Sequence, residues 1–407
     1  MQIEPRFNLI DPSTFSRGHP HEAYDWLREH SPVWRHPGSA RQPEFWALTR
    51  FEDIRAVSLD GANFTSTRGF RIPTDIFAGL NPEIGRIISR FMLAMDNPEH
   101  QEFRAIVSSA FMPAAIARAE PRIKASVDAL ISGLRGQDLV DVVPDVAALV
   151  PIKTICAIMG VPEEDEWRVF QFTNAVFGAD DPDFTPNTDL ANERYLEIFD
   201  YAWHLFEARR REPRDDLLTR IAHATVAGRS LTPDEQKSFF SNLIAAGNET
   251  TRSSLAGAIW ALALHPDQRR VLLDQPELLQ SSLPELLRWF GPVIQMSRTA
   301  IRDVEVGGVR IETGERVAML YAAGNRDPAV FADPHRLDLR REGAAGHLTF
   351  GYGVHHCLGS RLALLQLRLI LSAFLAEFPG YELAGEPTYL RSNLVRAMKT
   401  LPIRLAA

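Results

Sequence analysis

Residues 233–264 carry the longest uninterrupted helical pattern in the chain, and its length restricts the folds open to it. Thr232 suits an N-cap, Pro233 the first helical position, and Glu235 the far corner of a capping box. His265-Pro266 ends the run, because proline cannot continue a helix. At 1.5 Å per residue the segment is about 48 Å long, enough to cross a whole globular molecule. Phe239, Phe240, Leu243 and Ile244 precede its middle, and Leu255, Ile259, Trp260 and Leu262 follow it. A helix apolar at both ends belongs inside a large helical body. The middle, Ala245-Ala246-Gly247-Asn248-Glu249-Thr250-Thr251, breaks the pattern. Gly247 costs about 1 kcal/mol relative to alanine, and Glu249 is costly to bury unless paired or functional. Small residues leave room for a ligand against the helix. A hydroxyl at Thr250 can replace a backbone partner or hold a water, and Glu249 with Thr250 can relay protons. A kink with a salt-bridged glutamate is the competing reading.

Helical periodicity also covers Ala23 to Glu29, Pro98 to Ala110, Ala114 to Leu134, Val146 to Met159, Leu190 to Arg211, Pro284 to Phe290 and Leu358 to Phe378. Strand signals are short: Val33 to His36, Phe45 to Thr49, Arg316 to Tyr321, Thr400 to Leu405, and a hairpin of 304–306 with 309–311 about Gly307-Gly308. The expected layout is a mainly α, α+β fold: a large helical body with a smaller β-rich region, as a single domain over 1–407 with no Ser/Gly- or Pro-rich linker. The net charge of -8 argues against a nucleic-acid partner. The start lacks a basic segment followed by an apolar run, so no signal peptide is expected. The most apolar window, Leu255 to Leu264, is shorter than the roughly 20 residues a membrane anchor needs. The expected location is cytoplasmic.

Two cysteines cannot build a disulfide framework or a four-cysteine zinc site. Cys156 lies in an apolar helical stretch and reads as a small buried hydrophobe. Cys357 lies in Phe350-Gly351-Tyr352-Gly353-Val354-His355-His356-Cys357-Leu358-Gly359, just before a helix. Unpaired N–H groups and the positive end of the helix dipole favour a thiolate there. The glycines let the backbone approach a flat partner. Such a thiolate suits the fifth position of haem iron. A buried structural cysteine, a zinc site with His355 and His356, and a nucleophile with a histidine base are alternatives. Adjacent ligands fit tetrahedral zinc poorly, and adjacent residues rarely aim at one another as a nucleophile and base must.

This segment resembles the haem-binding signature of the cytochromes P-450, Phe-Gly-x-Gly-x-His-x-Cys-x-Gly, at every fixed position. The resemblance implies haem b between the long central helix and the cysteine-loop helix, with Cys357 on the iron and Phe350, Gly351, Gly359 and Ala246 beside the macrocycle. Ala246-Gly247-Asn248-Glu249-Thr250 resembles the family's oxygen-activating element, which implies that Thr250 positions the proton and Glu249 gates its supply. Glu285-Leu286-Leu287-Arg288 resembles the Glu-x-x-Arg element, which pairs with an arginine of a later loop. Phe331-Ala332-Asp333-Pro334-His335-Arg336-Leu337 is similar to that loop, with leucine where phenylalanine is usual, and makes Arg336 the expected third member. Asp96-Asn97-Pro98-Glu99-His100-Gln101-Glu102-Phe103-Arg104 resembles the propionate-binding helix start, giving His100 and Arg104 as donors, with Arg298 and His355 as further donors. Each of these charges taken singly reads equally as a surface group, and Glu285 with Arg288 as a helix pair worth about 0.2–0.5 kcal/mol.

The implied activity is reductive activation of dioxygen, with one oxygen atom inserted into a C–H bond. The chain shows no Gly-x-Gly-x-x-Gly after a strand and no further cysteine cluster. Electrons from NAD(P)H must therefore arrive indirectly, through a separate ferredoxin and ferredoxin reductase by resemblance. Arg361, Arg340 and Arg341 form a candidate basic docking patch. The segments matching the family's pocket regions are apolar: Ile72, Ile76 and Phe77; Phe172 and Phe177; Leu243; Val293, Ile294 and Met296; Leu394 and Val395. Ordinary core packing explains each as well as pocket lining does. As pocket lining they imply a hydrophobic substrate such as a terpenoid, steroid, fatty acyl or aromatic compound. A peroxide-using haem-thiolate peroxygenase and a non-catalytic haem sensor are the alternatives; Glu249-Thr250 argues against the first, and the sensor would have a closed pocket.

Overall fold

A computed structural model of the chain describes residues 7–40, 42–74 and 80–405. Its axis is the helix Pro233–Leu264, with the expected ends. The Thr232 side chain accepts from the Glu235 N–H, and the Glu235 carboxylate accepts from the Thr232 N–H, closing the capping box. The helices Leu149–Met159, Thr188–Arg211, Glu166–Phe177, Leu279–Phe290 and Ser360–Glu377 pack around it. Their apolar faces merge with its own into one core cluster that contains Phe240, Ile244, Leu255, Ile259, Phe290 and Phe374.

One close approach in that core depends on glycine. A Cβ on Gly257 would fall 2.3 Å from the ring of Phe290. The helix Leu279–Phe290 therefore comes nearer to the central helix than any larger residue would permit.

The β-rich region is a five-stranded sheet. Its order is Val33–His36, Phe45–Leu48, Arg316–Leu320, Gln295–Ala300, Phe64–Thr65. The first two strands form the expected antiparallel hairpin, with Val33 opposite Leu48. The second strand runs parallel to Arg316–Leu320, which lies antiparallel to Gln295–Ala300. The sequence pattern had not picked out Gln295–Ala300, where Ser, Arg and Thr interrupt the apolar residues. Nor had it picked out the helices Phe51–Leu59, Glu166–Phe177 and Pro266–Asp274. Val304–Val306 and Val309–Ile311 pair as a separate hairpin. Among the described residues, no helix is long and apolar enough to cross a membrane.

Candidate functional site: a cavity between the central helix and the cysteine loop

The cysteine loop is held open by its backbone. Gly351 and Gly353 take φ of +70° and +67°, a region that side chains with a Cβ rarely enter. The Cys357 N–H donates to the Phe350 carbonyl at 2.8 Å and closes the loop on itself. The following helix starts at Ser360 with Gly359 as its N-cap, so Cys357 precedes the helix rather than opening it. Burial pushes the Cys357 thiol up; the N–H groups of Gly359 and Ser360 and the Arg104 guanidinium oppose this. The expected dipole effect is thus present, but desolvation outweighs it.

The sulfur-bearing loop and the central helix face each other across a cavity of about 1480 Å³, counting space open to solvent. Cys357, Phe350, Gly351 and Gly359 line one side, and Ala246, Gly247 and Thr250 the other. The central helix passes the site without a break, and the Thr250 hydroxyl donates to the Ala246 carbonyl at 2.8 Å. This is the backbone bond expected of a threonine within a helix.

Five basic side chains line the same cavity: His100, Arg104, Arg298, His355 and His356. The His100 and His355 rings lie 4.4 Å apart, and Ser66 Oγ is 3.1 Å from His355 Nε2. Burial, with Arg298, His100 and Arg104 nearby, drives His355 down to about 3. Burial with Arg104 and Arg298 lowers His100 as well. Arg298 is 6% exposed, and among the described residues its side chain donates only to the Ser297 carbonyl, at 2.8 Å. Among the described residues neither Arg104 nor Arg298 pairs with a carboxylate. Asp96 lies near Arg298 and His100 but pairs with neither guanidinium, so buried Arg298 and half-buried Arg104 are incompletely balanced and favour a further anion. The set of a thiol, two guanidinium groups and three imidazoles fits a metalloporphyrin with two carboxylates.

Glu249 is buried beside this cavity but does not line it. Its carboxylate pairs with Arg252 and accepts from the Ser253 hydroxyl at 3.0 Å. Arg252 also donates to the Asn174 side chain at 2.7 Å, and Asn248 donates to the Thr173 hydroxyl at 2.7 Å. These bonds tie the central helix to Glu166–Phe177. Arg252 stands three residues after Glu249, a spacing that could have revealed the pair from the sequence.

The structure corrects the arginine assigned to the buried ion-pair network. Glu285 accepts from Arg288 at 2.6 Å and 2.8 Å, as expected. The third member is Arg341, whose Nε lies 3.1 Å from both Glu285 oxygens. Arg336 is exposed and contributes only its backbone carbonyl, to Arg288 and Arg341. Arg341 is thereby withdrawn from the supposed docking patch, while Arg340 and Arg361 remain exposed.

The apolar pocket residues divide. Leu243, Val293 and Met296 line the cavity. Ile72 and Ile294 instead belong to the core cluster beneath the sheet. Phe172 packs on Tyr201, with ring centres 6.0 Å apart. Phe177, Leu394 and Val395 gather around Leu390 and Ala397. Core packing claims these six, while Ile76 and Phe77 lie outside the described residues. Phe70, Met92, Leu93, Asn242 and Thr251 line the cavity without having been expected.

The family description "Cytochrome P450" matches residues 272–386. The chain is similar to linalool 8-monooxygenase of Pseudomonas putida, being 34% identical over 98% of this chain and 99% of that one. It is also similar to a methyl-branched lipid omega-hydroxylase of Mycobacterium tuberculosis, 34% identical over 94% of this chain and 90% of that one. The solved structure of a Mycobacterium marinum cytochrome P450 in complex with pseudoionone superposes with a TM-score of 0.90, at 33% identity and 99% coverage of each chain.

Proposed function

The chain belongs to the cytochrome P450 family and is a monooxygenase, and from that premise we propose that it hydroxylates an unactivated C–H bond of an apolar terpenoid- or lipid-like molecule, with electrons from a separate ferredoxin and its reductase. The observation that carries the reading is one cavity lined by Cys357, by the Thr250 face of the central helix, and by two guanidinium groups without acid partners. When bound, haem would supply dioxygen reduction and oxygen transfer to carbon. Cys357 would hold the iron through its sulfur, and Arg104, Arg298, His100 and His355 would hold the two carboxylates. Thr250 Oγ1 would hold a proton at the reacting face, using the hydroxyl that now donates to Ala246. Glu249 would pass protons inward when its pairing with Arg252 changes, because its carboxylate does not line the cavity. One oxygen atom enters the substrate and the other leaves as water, so electrons and protons must come from outside.

The apolar walls at Phe70, Leu243, Val293 and Met296 favour a hydrocarbon skeleton, in keeping with the named substrates of the similar enzymes. Binding such a molecule would expel water from the site and strengthen every electrostatic contact in it. Exposed Arg340 and Arg361 offer cations to an acidic ferredoxin. The test is purification with haem, the reduced carbon monoxide spectrum, and turnover of terpenoids and branched lipids with ferredoxin, reductase and NAD(P)H. A thiolate-type spectrum with hydroxylated product is expected. Product formed with peroxide alone and none with the electron chain would overturn the reading. For the docking cations, Arg361→Glu is expected to slow reduction and weaken its dependence on salt.

A further inference from the structure

We infer that Asn242 is a specificity-determining residue, whose carboxamide anchors a neutral oxygen, a carbonyl or hydroxyl, at the end of the substrate remote from the oxidised carbon. The inference rests on the monooxygenase reading and names its substrate class more closely: a singly oxygenated, otherwise apolar molecule of terpenoid type. Asn242 lines the cavity, is 7% exposed, and has no side-chain hydrogen bond among the described residues. Every other polar side chain that the central helix presents to the cavity is already committed. Thr250 donates to Ala246, Thr251 to Gly247 at 3.2 Å, and Ser254 to the Thr250 carbonyl at 2.7 Å. A carboxamide set among apolar walls without a partner is unfavourable until something in the cavity bonds to it.

Position on the helix supplies the geometry. Residues 242, 246 and 250 recur every four and so share one face. Eight residues at 1.5 Å place Asn242 about 12 Å along the axis from Thr250. A substrate whose reacting carbon sits at the Thr250 level thus meets Asn242 with its far end. Charge supplies the class. The guanidinium groups lining the cavity are Arg104 and Arg298, which match the two cofactor carboxylates. No guanidinium group is then left to balance an anionic substrate. A carboxamide both donates and accepts, so it serves a ketone or an alcohol equally.

The test uses the haem-loaded, full-length protein with two probes: pseudoionone, and the hydrocarbon in which its carbonyl is replaced by methylene. Their affinities are read from the low-to-high spin shift, and the oxidised position from the products. The native protein is expected to bind the ketone roughly three- to tenfold more tightly than the hydrocarbon, the ratio one neutral hydrogen bond supports. Asn242→Leu, which keeps the branching at Cγ but removes the amide, is expected to bring the ratio to about one and to spread the oxidation over several carbons. Asn242→Gln is a second variant that keeps the amide and is expected to keep the preference. An unchanged ratio in Asn242→Leu overturns the inference, as does a native protein that shifts spin with neither probe or with both equally. Loss of the reduced carbon monoxide band in the native protein would instead sink the haem-thiolate reading on which the inference stands.

Discussion

The Thr250 hydroxyl has a choice of partners: the Ala246 carbonyl that it now bonds, or whatever the cavity holds. Removing it should leave substrate and electron uptake intact but weaken proton delivery. We expect Thr250→Ala to lower product per NAD(P)H consumed by about ten- to a hundredfold. Hydrogen peroxide should account for the missing oxygen, and Thr250→Ser should recover most of the coupling. Equal product yields in Thr250→Ala and the native protein would show that this hydroxyl handles no proton. Glu249 behaves differently, because its carboxylate is sequestered by Arg252 and Ser253. Glu249→Leu leaves a buried guanidinium without its acid and should cost about 3–5 kcal/mol in denaturant unfolding. Glu249→Gln keeps hydrogen bonds to both partners and should cost far less while still slowing turnover. Of this neighbourhood, the polar interruption of an apolar helix was visible in the sequence. Direction was not: residues 249 and 250 are adjacent, and only the packing of Glu166–Phe177 decides which one meets the cavity.

Between elements, the ion-pair network separates two arginines that look equivalent in the chain. Arg341 reaches Glu285 and also donates to the carbonyls of Ala332, Asp333 and Arg336, so it binds the loop to the helix Leu279–Phe290. Arg341→Ala should destabilise the protein by about 2–4 kcal/mol, less than loss of a sole partner because Arg288 still serves Glu285. Arg336→Ala should leave the unfolding midpoint where it is. Matching losses from the two substitutions would refute the assignment. Gly257→Ala belongs to this scale as well. The added carbon would overlap the Phe290 ring, so the helices must separate, at about 1–3 kcal/mol. At Gly247 the added carbon would meet the Ile155 side chain at 3.1 Å rather than 2.3 Å, and the cost should be smaller. The helices themselves were largely legible because their apolar residues repeat at the helical period. The network arginine and the close helix approach were not, since both depend on how a loop and a second helix lie against a surface that no local pattern describes.

Taken as a whole, the molecule buries histidines that it must keep neutral. His36 is held down to about 4 by burial, and its Nε2 accepts from the Leu9 N–H at 3.2 Å. His347 is likewise lowered to about 4, by burial and by Arg288, and its Nδ1 accepts from the Thr349 N–H at 3.1 Å. His19 and His21 are lowered by burial, with Arg396 and Arg326 beside them, so protonation there would place like charges together. In the unfolded chain each histidine titrates near 6.5. Above that pH folded and unfolded forms bind equal numbers of these protons, and the stability is fully present. Below it the unfolded chain takes up protons that the fold refuses, so stability falls with acid. Between pH 6.5 and 5 the ordinary carboxylates remain ionised, which leaves these four histidines, together with His100, His355 and His356 at the cavity, as the main source of the slope. Each contributes at most about 1.4 kcal/mol per pH unit. Denaturant unfolding at several pH values in that window should show stability declining, and His347→Asn should remove about one proton from the slope. A flat profile from pH 6.5 to 5 would mean that the fold tolerates charge at these sites. Nothing in the sequence marks these four as buried, because a histidine reads alike in a core and on a surface. Its neutrality is imposed by elements remote in the chain: the Phe45 ring stacked 4.4 Å from His36, and Gly291, whose carbonyl lies 2.7 Å from His19.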